Sequence, residues 1–324
     1  MEVVKLNLKS KENNPLLHEV NRRVACAKQC IIITGAGISC SGEIPDFSSS
    51  DGLYSIIKCK YPGTFCLGKD LFDARLLRTN ESIKAFNLFM GSLKELIINA
   101  KPTATHFFIK KLADMKKLRR VYTQNIDNLK KLVGLDVDWQ FERVKNYQAQ
   151  VVQLHGSLKN LQYNVCTNIF LLRRNIIVFS SKVERQIAPN MKRKAPHTIG
   201  QLKPTVILYG DSHPKGLEIG VKALIKNFAR AIYGRGGFVI LVNATDVVTK
   251  GWNGIIDYQI EGTCDEWVKL VNIELSNIKK ITATRLSKKN SSIYIQEIVE
   301  DLFDEKCIIP YDPFKILGST LESL

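Results

Sequence analysis

Apolar residues recur along the chain in two alternating rhythms, one of helical spacing and one of short continuous runs. Leu16, Leu17, Val20 and Val24 share a helical face, and the β-branched run Ile31–Ile33 that follows reads as a short buried strand. Glu81–Ala100 carries a long amphipathic pattern through Ile83, Phe86, Phe89, Leu93, Leu96 and Ile97, until Pro102 breaks it. His106, Phe107, Ile109 and Leu112 open another helix, and Arg120–Thr123 and Val151–Leu154 read as the next two strands. Val206–Tyr209, a helix over Leu217–Tyr233 and the strand Phe238–Val242 complete the pattern, while the chain from about Ser276 reads as a polar helical tail. Helices alternating with short strands predict an α/β fold, a parallel sheet with helices on both faces.

Polar groups collect directly after the strands: Gly35 and Gly37, then Gln124, Asn125 and Asp127, then His155, then Asn243. In open parallel sheets the ligand crevice lies beyond the carboxyl ends of the strands, so these chain-distant groups are expected to meet at one cleft. The run Ile31–Ile33 enters Thr34-Gly35-Ala36-Gly37, where two glycines leave the backbone open to close approach. A strand passing through such a turn into a helix start offers free N–H groups and a positive helix end, which suits a pyrophosphate. Ile44-Pro45-Asp46-Phe47 then places an acid and an aromatic beside that turn. Plainer roles exist for each residue. Asn125 and Asp127 can cap a helix starting at Ile126, Asp46 can cap a turn, and a histidine at a strand end is more often structural.

At 324 residues the chain can hold one large α/β domain with a smaller module. No apolar run approaches the roughly 18 residues of a membrane span, and Met1-Glu2-Val3-Val4-Lys5 lacks the build of a secretory signal. An intracellular protein is expected, without a membrane partner, and its eight scattered cysteines are then read as free thiols. The formal charge of +16 comes from short clusters such as Arg119-Arg120, Lys130-Lys131 and Lys192-Arg193-Lys194. Such a balance draws a protein to nucleic acid or chromatin, although any single pair more often only solvates a surface.

Taken together, Gly35-Ala36-Gly37-Ile38-Ser39, Ile44-Pro45-Asp46-Phe47, Thr123-Gln124-Asn125-Ile126-Asp127 and Val152-Gln153-Leu154-His155-Gly156-Ser157 resemble the sirtuins, NAD-dependent protein-lysine deacylases. The segments Ser49–Tyr54, Trp252–Tyr258 and Gly262–Trp267 resemble the fungal histone-deacetylating branch. The resemblance implies a Rossmann-like domain over about 15–156 and 204–275 with a helical insertion near 55–118, a small module over about 157–203 and the tail 276–324. It implies that the acetyl-lysine oxygen attacks the nicotinamide ribose carbon as nicotinamide leaves, the acetyl group passing to ADP-ribose. Gly35, Ala36 and Gly37 would hold the diphosphate, with Ile38, Ile44, Tyr54 and Gln124 also around the cofactor. Asp46, Asn125 and Asp127 would orient carboxamide and ribose, and Phe47 would exclude water. His155 would be the general base, a role suited to a side chain that titrates near neutrality. Asn243 and Cys264 would meet the adenosine half, and Ile207, Tyr209 and Gly210 would line the acyl-lysine tunnel. An acetylated histone, contact with chromatin through the basic surface and a nuclear location, with the cytoplasm as alternative, follow from the same resemblance.

Three departures stand against it. Cys166 is the only cysteine between residues 67 and 263, with Tyr163 where its first partner belongs. The family's structural zinc, held by two Cys-X-X-Cys pairs, is therefore expected to be absent, Cys166 being a remnant. Glu43 replaces a glycine before Ile44-Pro45, which strains the turn if that position needs positive φ, and Ser48 replaces an arginine after Asp46-Phe47. The polar interval Ser212–Gly220 also leaves no room for an apolar strand ending in a cofactor-binding Gly-Thr-Ser turn. A sirtuin-like protein that binds NAD or chromatin with little or no turnover is thus the alternative reading.

Overall fold

The computed structural model describes residues 2–10, 14–46, 52–60, 68–75, 79–138, 149–163, 169–171, 202–208 and 221–289. Ten strands and seven α-helices are described: β1 Val4–Asn7, α1 Pro15–Cys26, β2 Cys30–Thr34, α2 Leu53–Lys60, α3 Asn80–Asn99, α4 Ala104–Asp114, β3 Leu118–Thr123, α5 Leu129–Leu132, β4 Val137–Asp138, β5 Val151–Gln153, β6 Gly156–Tyr163, β7 Ile169–Leu171, β8 Leu202–Val206, α6 Val221–Tyr233, β9 Ile240–Asn243, β10 Tyr258–Glu261 and α7 Cys264–Lys289. One parallel sheet runs β2-β3-β5-β4, a second runs β1-β10-β9, and β7-β6-β8 form an antiparallel sheet.

Alternation along the strands explains the layers. Ile31 and Ile33 of β2, Tyr122 of β3 and Val152 of β5 pack against Phe228 and Ile232 of α6. Ile32 and Val121 point the other way, toward Ile109 of α4. On that second face Ala25 of α1, Phe108 and Leu112 of α4 and Val268, Val271 and Leu275 of α7 form one cluster. Each such fully buried side chain contributes roughly 1.5–3 kcal/mol relative to exposure. Local signals set the helix starts. Asn14 accepts the Leu16 and Leu17 N–H groups ahead of Pro15, and Thr79 and Ser82 cap α3 reciprocally.

Several expectations are corrected. The strand near Val206 is Leu202–Val206, not Val206–Tyr209, because its partner is β6, which it meets antiparallel. The strand expected at Phe238 begins at Ile240. Helix α4 packs on the sheet layer through Ile109. Helix α7 runs through Ser276, and its Leu275 is 2% exposed. Two supposed surface cations are buried, Arg120 at 4% and Lys130 at 2% exposure. Among the described residues no strand pairs with the outer edge of β2 or of β9, and both strands are only half-buried although apolar. Central parallel strands are normally covered on both sides. The interval 212–220 lies outside the described residues.

Gly156 joins the parallel and antiparallel sheets. It has φ +77°, and a Cβ there would stand 2.0 Å from the Thr205 carbonyl oxygen. Neither the backbone angle nor the neighbouring strand can yield cheaply. Gly156→Ala is expected to destabilise the protein by at least about 2 kcal/mol, read as a lower midpoint in urea unfolding.

Candidate functional site

Three strand ends are laced together by the backbone. Gln124 donates its N–H to the Thr34 carbonyl at 3.0 Å, and Leu154 donates to the Thr123 carbonyl at 2.8 Å. These bonds bring Gly35, Asn125 and His155 to the same carboxyl edge of the four-stranded sheet. After β2 the chain makes two short 3-10 turns, Ala36–Ile38 and Cys40–Gly42. Ile38 and Ile44 fold into the core, at 6% and 7% exposure, leaving Gly35, Ala36 and Gly37 at the rim. A Cβ built on Gly35 or Gly37 would meet nothing within 4 Å. That open space leaves the backbone of the turn open to close approach by a ligand, as a phosphate-binding turn would need.

A closed triangle of hydrogen bonds lies under this rim. Ser39 Oγ donates to Asp127 Oδ2 at 2.7 Å, and Asn125 Nδ2 donates to Ser39 Oγ and to Asp127 Oδ2, both at 3.1 Å. All three residues are buried, at 1%, 6% and 6% exposure. Both hydrogens of the Asn125 amide are thereby committed, and its carbonyl oxygen is what it can offer a ligand. Asp127 Oδ1 accepts the Leu129 N–H at 3.0 Å; no helix starts at Ile126, and α5 begins at Leu129 behind Asn128, so the plainer role of capping a helix at Ile126 is not what Asn125 and Asp127 do. Two buried polar atoms at the same edge have no partner among the described residues, Thr34 Oγ1 and Gln153 Oε1. Buried polar atoms in native proteins are nearly always satisfied, so these fit contact with a bound group or water.

The remaining candidates divide. The His155 carbonyl accepts the Ile207 N–H at 3.1 Å, bringing the candidate base beside a candidate tunnel residue. Half-buried Asp46 uses its carbonyl to receive the Leu53 N–H at 2.7 Å, and Tyr54 packs edge-on against Phe72 in the helical cluster. Cys264 opens α7 on the far side of the rim. Ser41 donates to the carboxylate of Asp265, whose other oxygen takes the Thr105 N–H at 2.8 Å, so the cofactor turn is tied to the start of α7. Burial pulls the Asp265 carboxyl up, but these bonds outweigh it and hold the group below its usual range. Burial, then Asp265, push the Cys264 thiol up to about 11, so it stays a neutral, apolar surface. Asn243 ends a strand of the other sheet and donates to the Thr245 carbonyl and hydroxyl at 2.8 and 3.2 Å; no hydrogen bond joins it to the triangle among the described residues. Phe47, Ser48, Cys166, Tyr209 and Gly210 lie outside the described residues.

Glu43 meets the condition set for strain. It is left-handed, φ 71° and ψ 19°, where a side chain costs about 1–2 kcal/mol relative to glycine. Ser39, Thr123 and Lys130 are not among the candidate site residues of the sequence, although each stands in a segment named there. Ser39 stood within the glycine motif, but nothing local marks it as the partner of a residue 88 positions away.

Comparison with known proteins identifies the family. The model of the Sir2 family matches residues 35–229. The chain is 37% identical over 310 residues to the NAD-dependent histone deacetylase HST3 of Candida albicans, covering 81% of this chain and 63% of that protein. It is 35% identical over 312 residues to HST3 of Saccharomyces cerevisiae, also named a NAD-dependent histone deacetylase, covering 83% of this chain and 70% of that one. A solved complex of a Sir2 homologue with NAD shares the fold at a TM-score of 0.55 and 20% identity, over 80% of this chain and 94% of that one. The glycine turn, the polar strand ends and these likenesses together place the chain in the Sir2 family.

Proposed function

We propose that the protein is a NAD-dependent histone deacetylase, which moves the acetyl group of acetyl-lysine to ADP-ribose and releases nicotinamide. The observation that carries this reading is the Ser39–Asn125–Asp127 triangle set directly beneath the open Gly35–Gly37 turn. The relatives' names supply the substrate class, and the charge of +16 suits work on chromatin in the nucleus.

NAD would supply the ribose bond that breaks to free nicotinamide and the ribose that takes the acetyl group. The backbone of Gly35, Ala36 and Gly37 would hold its diphosphate, with Ile38, Ile44, Asp46, Tyr54 and Gln124 around the cofactor and Asn243 and Cys264 toward adenosine. Asp127 and Ser39 fix the Asn125 amide, whose oxygen would then orient the cofactor before reaction. His155 would take a proton from a ribose hydroxyl during acetyl transfer. Ile207, Tyr209 and Gly210 would line the acyl-lysine tunnel, and Phe47 would exclude water. We also propose that this chain folds without structural zinc. Cys166 alone cannot supply the family's tetrahedral thiolate site.

A second reading, a NAD-binding member with little turnover, draws on Glu43, which brings both a strained backbone and a negative charge to the phosphate turn. Nicotinamide release from NAD and an acetylated histone peptide separates the two. Deacetylase activity that His155→Ala lowers by about 10²–10⁴-fold supports the first reading; equal background rates in both proteins refute it. Glu43→Gly is expected to lower the KM for NAD while leaving the fold intact, since it removes both strain and repulsion. Elemental analysis of the purified chain should find less than stoichiometric zinc, and one tightly held equivalent would refute the zinc proposal.

A further inference from the structure

Lys130 lies in α5, three residues beyond Asp127 of the triangle, and is 2% exposed. An ammonium is among the groups least often buried, and one that stays buried is held by specific partners. Its Nζ donates to Thr123 Oγ1 at 3.0 Å, and that same oxygen accepts the Asn125 backbone N–H at 3.1 Å. Lys130 and Asn125 therefore hang from one hydroxyl. The carboxylate of Asp127, which grips the Asn125 amide from the other side, is the opposite charge acting on Lys130.

The charged and titratable groups that face Lys130 among the described residues come from three elements. From α4, His106 faces it, 0% exposed, with Nδ1 tied to Thr103; burial and then the charge of Lys130 hold that imidazole well below its ordinary range, so it stays neutral. From α7, Asp265 acts on His106 and is bound by Ser41 and Thr105. On α5 itself Lys131 is exposed, and Lys110 on α4 is paired with Asp114.

We propose that Lys130 is a positioning residue of the cleft: its buried ammonium holds Thr123 and Asp127, fixes Asn125 through both, and slackens the site when it loses its charge. This rests on the role given to Asn125 under the deacetylase reading and adds to it a built-in alkaline limit. Burial pushes Lys130 down to about 8, with Asp127 opposing the shift. The sign of the linkage separates function from stability. Between about 8 and the ordinary lysine value near 10.4 the folded chain has shed a proton that the unfolded chain keeps, so this group adds stability as pH rises. Activity moves the other way, because the neutral amine no longer opposes the Asp127 charge.

The test uses the full chain, from pH 6.5 to 9.5. Nicotinamide release with an acetyl-lysine peptide, NAD affinity by calorimetry and urea unfolding are measured in wild type, Lys130→Met, Thr123→Val and the double variant. In wild type, kcat and NAD affinity should both fall above about pH 8, with no matching loss of folding stability. Lys130→Met should lower kcat by about 10- to 100-fold at pH 7 and abolish the alkaline limb. Thr123→Val should lose a similar factor, and the double variant little more, because the two side chains act through one contact. Wild-type kcat and limb retained in Lys130→Met overturn the proposal; should that variant fail to fold, unchanged kcat in Thr123→Val overturns it instead. A wild type that binds NAD with the alkaline loss yet releases no nicotinamide supports the Lys130 role and refutes the deacetylase reading. Turnover with no alkaline loss in either measurement does the reverse.

Discussion

The Asp127 carboxylate accepts hydrogens from three parts of the chain at once: the Ser39 hydroxyl of the phosphate turn, the Asn125 amide at the end of β3 and the Leu129 N–H that opens α5. A carboxylate has the lone pairs for this, and a neutral amide in its place would have to turn one donor away. Because the group is buried, each bond counts for more than it would in water and each missing bond would cost correspondingly more. The cofactor turn, the strand end and the short helix carrying Lys130 are therefore held in one register by a single side chain.

Around that anchor the protein is assembled from two parallel sheets and an antiparallel one, joined by a few specific contacts. Gly156 allows β6 to leave the parallel sheet against the Thr205 carbonyl, and the bond from the His155 carbonyl to Ile207 carries the site across the junction. On the opposite side, Ser41 and Thr105 converge on Asp265, so the phosphate turn also depends on the position of α7. The site is thus built from segments that are rigid separately and polar where they meet. Among the described residues β2 and β9 are edge strands and only half-buried.

Where the strands end, and hence where the candidate residues gather, was readable in the sequence because a turn after a strand leaves a local trace. Ile31–Ile33 with two following glycines, Thr123 leading into Asn125 and Asp127, and Val151–Gln153 leading into His155 each combine an apolar run with polar residues where the strand ends. Local period also located α1, α3, α4 and α6. It failed where pairing partners are distant. Strand β8 takes its register from β6, and α7 continues past Ser276 because Leu275 packs against α1 and α4. A polar composition alone cannot reveal one buried stripe on a long helix.

Lys130 shows the same division in one residue. Beside Lys131 it reads as a solvated pair, since nothing within a few positions requires an ammonium to be buried. Only the folded chain sets Thr123, Asp127 and His106 around it and closes α4 over the top. The sequence by itself determined the glycine turn and the polar strand ends, because these depend on the conformational range of neighbouring residues, whereas the left-handed backbone at Glu43 is seen only in the fold. The tertiary structure decided which polar side chains bond each other beneath the cleft, which cations leave water and where the sheets part. Those outcomes depend on desolvation and on partners brought together from remote parts of the chain.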